Sequence, residues 1–285
     1  MDTQHATRNT YRGRLAPSPT GLLHLGHART FWIAQQRAQA HGGTLVLRNE
    51  DLDQARCKPE FASAMLEDLR WFGFEWQEGP DLGGPFGPYA QSQRRELYLA
   101  GFEKLRAAGL VYPCVCSRQD VLRALQAPHA DDDEPIYPGT CRNRSPSTIN
   151  SQPSTPLNHR FRVPDGEEVS FMDGHYGRQQ FVAGKDFGDF VIWRHDDVPA
   201  YQLAVVVDDA AMRITEVVRG EDLLKSTARQ LLPYRALGFT PPKFYHCPLL
   251  TDQSGARLAK RNDAFGLRTL RTRGARPDHL RRAWG

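Results

Sequence analysis

The first residues whose types and spacing suggest chemistry are His24 and His27, which close the segment RLAPSPTGLLHLGH from Arg14. A strand ending at Pro17, a turn through Ser18, Pro19, Thr20 and Gly21, and a helix entered near Gly26 put both imidazoles at a helix N-terminus, on one side. Free backbone N–H groups and the helix dipole make such an end an anion site, and Gly26 lets a phosphate approach the backbone. Two imidazoles there suit an α-phosphate on which negative charge builds during displacement. A second basic element, Arg257-Leu258-Ala259-Lys260-Arg261, follows a glycine-bearing turn at 252–255. It can close over a triphosphate and neutralise a departing pyrophosphate; taken alone it also reads as a solvated charge cluster.

Arg14 and Arg219 fall at expected strand ends, where a guanidinium fork binds a carboxylate bidentately. Glu50 follows a strand and can hold an ammonium, and Tyr201 offers a hydroxyl at the start of an apolar run. Such a set suits a ligand with two carboxylates and an amine, although any one of these arginines alone reads as a surface residue. Cys114 and Cys116 form C-x-C, and Tyr137 precedes Cys141 by four. Three thiolates and one more ligand satisfy tetrahedral zinc. On chemistry alone His129 is the favoured fourth ligand, and three unlinked thiols are the competing reading. Cys57 and Cys247 have no such neighbours and read as packed residues.

These groups need a frame. Strands are expected over 11–16, 44–48, 201–207 and 213–218, the third nearly all apolar and therefore buried on both faces. Helices are expected over 28–40, 60–72 (with Pro59 in its first turn), 92–108 and 227–237, the last two ended by Gly109 and Gly238. Strands alternating with helices predict an α/β fold with a doubly wound parallel sheet, whose ligands bind at the carboxyl ends of strands. The segments 79–88, 128–135 and 143–158 read as surface loops; in the last, 12 of 16 residues are Ser, Thr, Asn or Pro.

At 285 residues, with 40% hydrophobic and 25% charged, the chain can bury a core without crosslinks. Its charge is uneven. From Arg257 onward there are nine Lys/Arg against two Asp/Glu, and taking these from the totals of 37 and 33 leaves 28 basic and 31 acidic residues. The positive balance therefore lies in the last tenth of the chain, which fits either a polyanionic partner or a solvated basic helix. A polar N-terminus, no membrane-length apolar run and five cysteines point to a cytoplasmic protein with no membrane partner. A monomer is the expected state.

The motifs together resemble a known family. His24-Leu25-Gly26-His27 is similar to the HIGH signature, and RLAKR to the KMSKS loop, of class I aminoacyl-tRNA synthetases. LRNEDLD at 47–53, AVVVDD at 204–209 and VVRGEDLL at 217–224 resemble further segments of the glutamyl branch, in the family's order. Arg257 and Ala259 depart from the KMSKS pattern, while Lys260 is kept. The resemblance implies a Rossmann-type catalytic core that activates L-glutamate with ATP, accompanied by Mg2+, through His24, Gly26, His27 and Lys260. It implies glutamate contacts at Arg14, Ala16, Ser18, Glu50, Tyr201 and Arg219. The arrangement C-x-C…Y-x-x-x-C resembles the zinc insertion of one subfamily, in which the tyrosine is a ligand, so it implies one structural Zn2+ on Cys114, Cys116, Tyr137 and Cys141.

Full-length glutamyl and glutaminyl synthetases continue into anticodon-binding domains, whereas only 25 residues follow Lys260 here. Brevity and the Cys-Tyr-Cys insertion both resemble the stand-alone glutamyl-queuosine branch. That branch activates glutamate without tRNA and attaches it to the queuosine base of tRNA(Asp). The alternatives are charging of a tRNA 3′ end and an inactive RNA-binding paralogue. The expected organisation is 11–110 for the first catalytic half, 111–185 for a zinc-bearing insertion, 186–262 for the second half and 263–285 for a basic, helical C-terminal segment. The basic tail, Arg142 and Arg144 read as phosphate contacts or as solvated charge.

Overall fold

The structure is a computed structural model that describes residues 11–117, 120, 136–144, 157–250, 265–282 and 284. Lys260 with the rest of the RLAKR segment, and His129, lie outside the described residues. In chain order the elements are β1 Arg12–Leu15, α1 Leu25–Ala40, β2 Thr44–Leu47, α2 Pro59–Phe72, α3 Arg95–Ala107, β3 Val111–Cys114, β4 Asn158–Phe161, β5 Glu168–Asp173, β6 Gly177–Val182, β7 Phe190–Trp193, α4 Tyr201–Ala211, β8 Glu216–Gly220, α5 Leu224–Leu237, β9 Lys243–Cys247, α6 Leu267–Thr272 and α7 Pro277–Arg282. They form two compact units, one of 1–93, 213–221 and 242–285, the other of 94–212 and 222–241.

The first unit is the expected β-α-β start with a second parallel pair. β1 and β2 run parallel, Arg12 opposite Thr44 and Leu15 opposite Leu47, joined by α1. β8 and β9 are likewise parallel, Glu216 opposite Lys243 and Arg219 opposite His246. The Thr215 N–H donates to the Arg12 carbonyl at 2.9 Å, which brings β8 beside β1. The core is built from the inward faces of β1, β2, α1 and α2: Leu15, Leu45 and Leu47 pack with Phe31, Leu69, Phe72 and Phe74. Burying each such side chain is worth about 1.5–3 kcal/mol. α2 starts on Pro59, whose missing N–H costs nothing there, and ends on Gly73 at φ 93°.

An Arg37–Glu216 ion pair, joined by the Tyr11 hydroxyl, fastens the unit at the amino ends of β1 and β8. Glu216 accepts from Arg37 Nε at 2.6 Å, Arg37 Nη2 at 2.7 Å and the Tyr11 hydroxyl at 2.8 Å. Burial works against this carboxylate, but the Arg37 fork and Tyr11 outweigh it and hold its pKa below the usual value. Burial, the hydrogen bond to Glu216 and that carboxylate's charge raise the Tyr11 phenol, against the pull of the neighbouring arginines. The C-terminal helices are tied to α2: Arg268 Nε donates to Asp68 at 2.8 Å, Arg281 Nη1 to the Phe72 carbonyl at 2.8 Å, and Trp284 stacks on Phe72.

In the second unit the strands are antiparallel: β3, β4 and β7 in that order, and the hairpin β5–β6 with Glu168 opposite Val182. The fold is therefore a mixed α/β one; the parallel arrangement expected throughout holds for the strand pairs of the first unit. The run at 201–207, expected as a buried strand, is the helix α4. Its residues Gln202 to Asp209 are all buried because it packs among α3, α5 and β7. Gly101 permits the approach of α3: a Cβ there would meet Val207 at 3.2 Å and Leu203 at 3.6 Å. Asp208 is buried in α4 because Arg94 Nε donates to it at 2.6 Å and Tyr98 at 2.9 Å. The strand expected at 213–218 starts later, at Glu216; Arg213 sits in a turn at φ 55°.

Candidate active site

α1 opens on His24, whose extended backbone (φ −125°, ψ 170°) makes it the N-cap. His24 Nδ1 accepts the Gly26 N–H at 3.0 Å, and His27 Nδ1 accepts the His24 N–H at 3.4 Å. The two histidines thus form a reciprocal capping box, with imidazoles in place of the usual hydroxyl and carboxylate. Their rings lie 3.8 Å apart between centroids. An imidazole whose Nδ1 accepts a hydrogen bond carries its proton on Nε2, so each ring is a neutral Nε2–H donor. Gly26 is what permits this. A Cβ there would lie 2.9 Å from His24 Cε1 and 3.0 Å from its Nδ1, too close for the ring to keep its place.

The residues flanking 251–264 bond to the same end of α1. Leu267 N–H donates to the Leu23 carbonyl at 2.8 Å and Gly266 bridges His24. On the other side Arg29 Nη1 donates to the Pro248 carbonyl at 3.0 Å, and the Leu249 N–H to Glu221 Oε1 at 2.9 Å.

Arg14, Ala16, Ser18, Glu50 and Arg219 lie at or just past the carboxyl ends of β1, β2 and β8 in the first unit. The β1–β2 pairing runs past both strands: Arg48 N–H donates to the Leu15 carbonyl at 2.8 Å and Glu50 N–H to the Pro17 carbonyl at 3.0 Å. That locks Glu50 beside the turn bearing Ala16 and Ser18. Buried Arg14 donates from Nη1 to the Val218 carbonyl at 3.0 Å, next to Arg219. Tyr201, expected to open a strand, instead opens α4 in the second unit, 36% exposed.

Two functional-site neighbours escaped the sequence analysis. Arg48, fully buried, donates to Glu50 Oε1 from Nη2 at 3.0 Å and Nε at 3.3 Å, so it fixes that carboxylate and balances its burial. His246 accepts from Arg219 Nε at 3.2 Å. The first had a signal in the R-x-E spacing at a strand end; the second needed the β8–β9 register.

The second unit gathers the sulfurs. The Sγ atoms of Cys114, Cys116 and Cys141 lie within 4.8 Å of one another, and Cys116 and Cys141 are 3.6 Å apart. Tetrahedral zinc with Zn–S near 2.3 Å requires sulfurs about 3.8 Å apart, so the three could hold a metal ion. The Tyr137 oxygen is 3.4 Å from Cys114 Sγ and 3.5 Å from Cys116 Sγ, and it accepts the Cys141 N–H at 2.8 Å. Gly188 makes room for this tyrosine, since a Cβ there would sit 3.0 Å from its backbone nitrogen. Arg160 donates from Nε to Cys114 Sγ at 3.3 Å and lies over the Tyr137 ring, 3.9 Å from its centroid. Burial pushes the Cys116 thiol up to about 11 and the Tyr137 phenol well above its ordinary range; at Cys141 burial is outweighed by hydrogen bonds from Tyr137 and its neighbours, which lower it. Metal capture by this set releases protons.

The profile of the tRNA synthetases class I (E and Q) catalytic domain matches residues 10–283. A glutamyl-Q tRNA(Asp) synthetase from Symbiobacterium thermophilum is 50% identical over 270 residues, 93% of this chain and 83% of the relative. The chain belongs to the glutamyl-Q tRNA(Asp) synthetase branch of the class I family. More distantly, it is 42% identical to a glutamate–tRNA ligase of Nitrosococcus oceani, covering 58% of that ligase. It also resembles the crystal structure of a glutamate tRNA ligase from Elizabethkingia meningosepticum in complex with its amino acid, at TM-score 0.78, 31% identity and coverage of 89% of this chain and 52% of that one. The glutamyl-Q branch is thus matched over most of its length, and the glutamate ligases over about half of theirs. Among the described residues, no helix is long and apolar enough to cross a membrane.

Proposed function

We propose that the chain condenses L-glutamate with ATP to glutamyl-adenylate without tRNA, then passes the glutamyl group to the queuosine base in the anticodon loop of tRNA(Asp). The observation that carries this reading is the match along 83% of a relative named for that product. In the first step a glutamate carboxylate oxygen bonds to the α-phosphorus of ATP, the bond to the β-phosphate bridge breaks, and pyrophosphate leaves with its electron pair. His24 and His27 donate from Nε2 to the α-phosphate as its charge grows, supported by the N–H groups of the helix end beside Gly26. Lys260 meets the departing pyrophosphate, with Mg2+ accompanying the nucleotide. The ties from Pro248 and Gly266 to α1 support that assignment.

Glutamate is held by Arg14 and Arg219 on its carboxylates and by Glu50 on its ammonium, with Ala16 and Ser18 as further contacts. Arg48 pairs with Glu50 and aims it. In the second step a queuosine hydroxyl attacks the adenylate carbonyl and AMP leaves. Cys114, Cys116, Tyr137 and Cys141 hold one zinc ion, which pins the insertion; its chemistry there is structural cross-linking. In outline, 11–110 and 186–262 form a doubly wound nucleotide-binding frame, 111–185 the acceptor-facing insertion and 263–285 a basic segment for RNA. The parallel pairs β1–β2 and β8–β9 support that frame. Arg142 is paired with Asp165 at 2.8 Å and Asp189 at 3.2 Å, so the RNA-facing role goes to exposed Arg144 and the C-terminal arginines. The protein works as a cytoplasmic monomer.

Glutamate-dependent ATP–pyrophosphate exchange without tRNA tests the first step, and Lys260→Ala lowers it by ~10²–10³. Exchange that appears only when tRNA is added contradicts the reading and favours 3′-end charging, as in the glutamate–tRNA ligase relatives.

A further inference from the structure

We infer that His246 is a positioning residue for substrate recognition: it holds the Arg219 guanidinium in the plane that a glutamate carboxylate requires. The inference rests on the glutamate reading above. Arg219 and His246 are register partners on the parallel strands β8 and β9, so their side chains leave the same face of the pair. Arg219 is 4% exposed and His246 fully buried. The Arg219 Nε–H donates to His246 Nε2 at 3.2 Å, which requires a lone pair on Nε2 and places the ring proton on Nδ1.

Phe244, two residues before His246 and on the same face, completes the cradle. The guanidinium carbon lies 5.6 Å from its ring centroid, and the Phe244 and His246 rings stack at 6.3 Å. The arginine is thus gripped by an aromatic face and by one hydrogen bond at Nε. Nε is the nitrogen that takes no part in the Nη1–Nη2 fork, so the bond sets the direction of the fork. The chemistry of the partner matters as much as its position. A neutral imidazole orients the cation without cancelling its charge, whereas a carboxylate at 246 neutralises it and competes with an anionic substrate.

The test is ATP–pyrophosphate exchange with glutamate and ATP varied separately, on wild type, H246N and H246Q, with melting temperatures alongside. Asparagine is too short to reach Arg219, while glutamine restores an acceptor at about the imidazole's reach. The expected result for H246N is a KM for glutamate raised ~10–100-fold, the scale of one hydrogen bond to a charged group, with KM for ATP and kcat at saturating glutamate near wild type. H246Q recovers most of the loss. An unchanged glutamate KM in H246N overturns the inference. So does a parallel rise in both KM values with a lowered melting temperature, or no rescue by H246Q, since a merely structural residue behaves that way. Wild-type protein that shows no glutamate-dependent exchange overturns the glutamate reading itself, and this inference with it.

Discussion

Gly26→Ala separates the geometry of the histidine pair from its composition, because it leaves both imidazoles in the chain. The new methyl carbon would sit 2.9 Å from His24 Cε1 and 3.0 Å from Nδ1, so the ring must withdraw to reach ordinary contact. The cap from Gly26 N–H to Nδ1 breaks, and Nε2 swings away from its line. The stability effects nearly cancel: removing a helical glycine gains up to about 1 kcal/mol, and losing an N-cap costs about 1 kcal/mol. The melting temperature therefore stays close to wild type. Adenylate formation falls by ~10²–10³, the scale for one misplaced transition-state donor. Pyrophosphate exchange at saturating glutamate and ATP measures it. If the methyl acts through His24 alone, then Gly26→Ala adds nothing to a His24→Ala background. Near-normal exchange in Gly26→Ala refutes the reasoning, as does a double variant whose loss is the product of the two single losses.

Arg160→Leu, which removes the cation beside Cys114 and over Tyr137, weakens metal retention by ~10–100-fold, read by zinc release to a competing chelator; unchanged retention counts against its role. Glu216→Gln lowers stability by about 1–3 kcal/mol at neutral pH. Because the folded pKa lies below the unfolded value of 4.5, the deficit is full above pH 4.5 and shrinks as pH falls through the folded value; denaturant melts at pH 7 and pH 3 check the sign. Arg273, Arg276 and Arg282 are exposed. Replacing all three with Gln leaves exchange intact and reduces the slope of log K for tRNA against log salt by about 2–3, and an unchanged slope removes this face from the RNA.

Much of the first unit was legible because its signals are local. Pro59 opens α2, the turn at 17–21 announces α1, and the histidine spacing fixes both rings at its N-terminus. The second unit was harder. The run Leu203-Ala204-Val205-Val206-Val207 is β-branched and wholly apolar, and a helix buried on every side lacks the polar stripe that separates the two periods. The burial of Asp208 carried no local signal because its partners, Arg94 and Tyr98, lie more than 100 residues away in sequence. The placement of Arg14 and Arg219 near strand ends was legible, but the neighbours of Glu50 and Arg219 were less so. Arg48 lies only two residues from Glu50, a spacing the sequence does contain, whereas His246 meets Arg219 through the β8–β9 register, which it does not.

The most direct test of the central claim is transfer of labelled glutamate by purified protein onto tRNA from queuosine-containing and queuosine-deficient cells. Label confined to the queuosine-containing pool, and resistant to removal of the tRNA 3′ end, is the predicted result. Equal label in both pools, lost with the 3′ end, contradicts it.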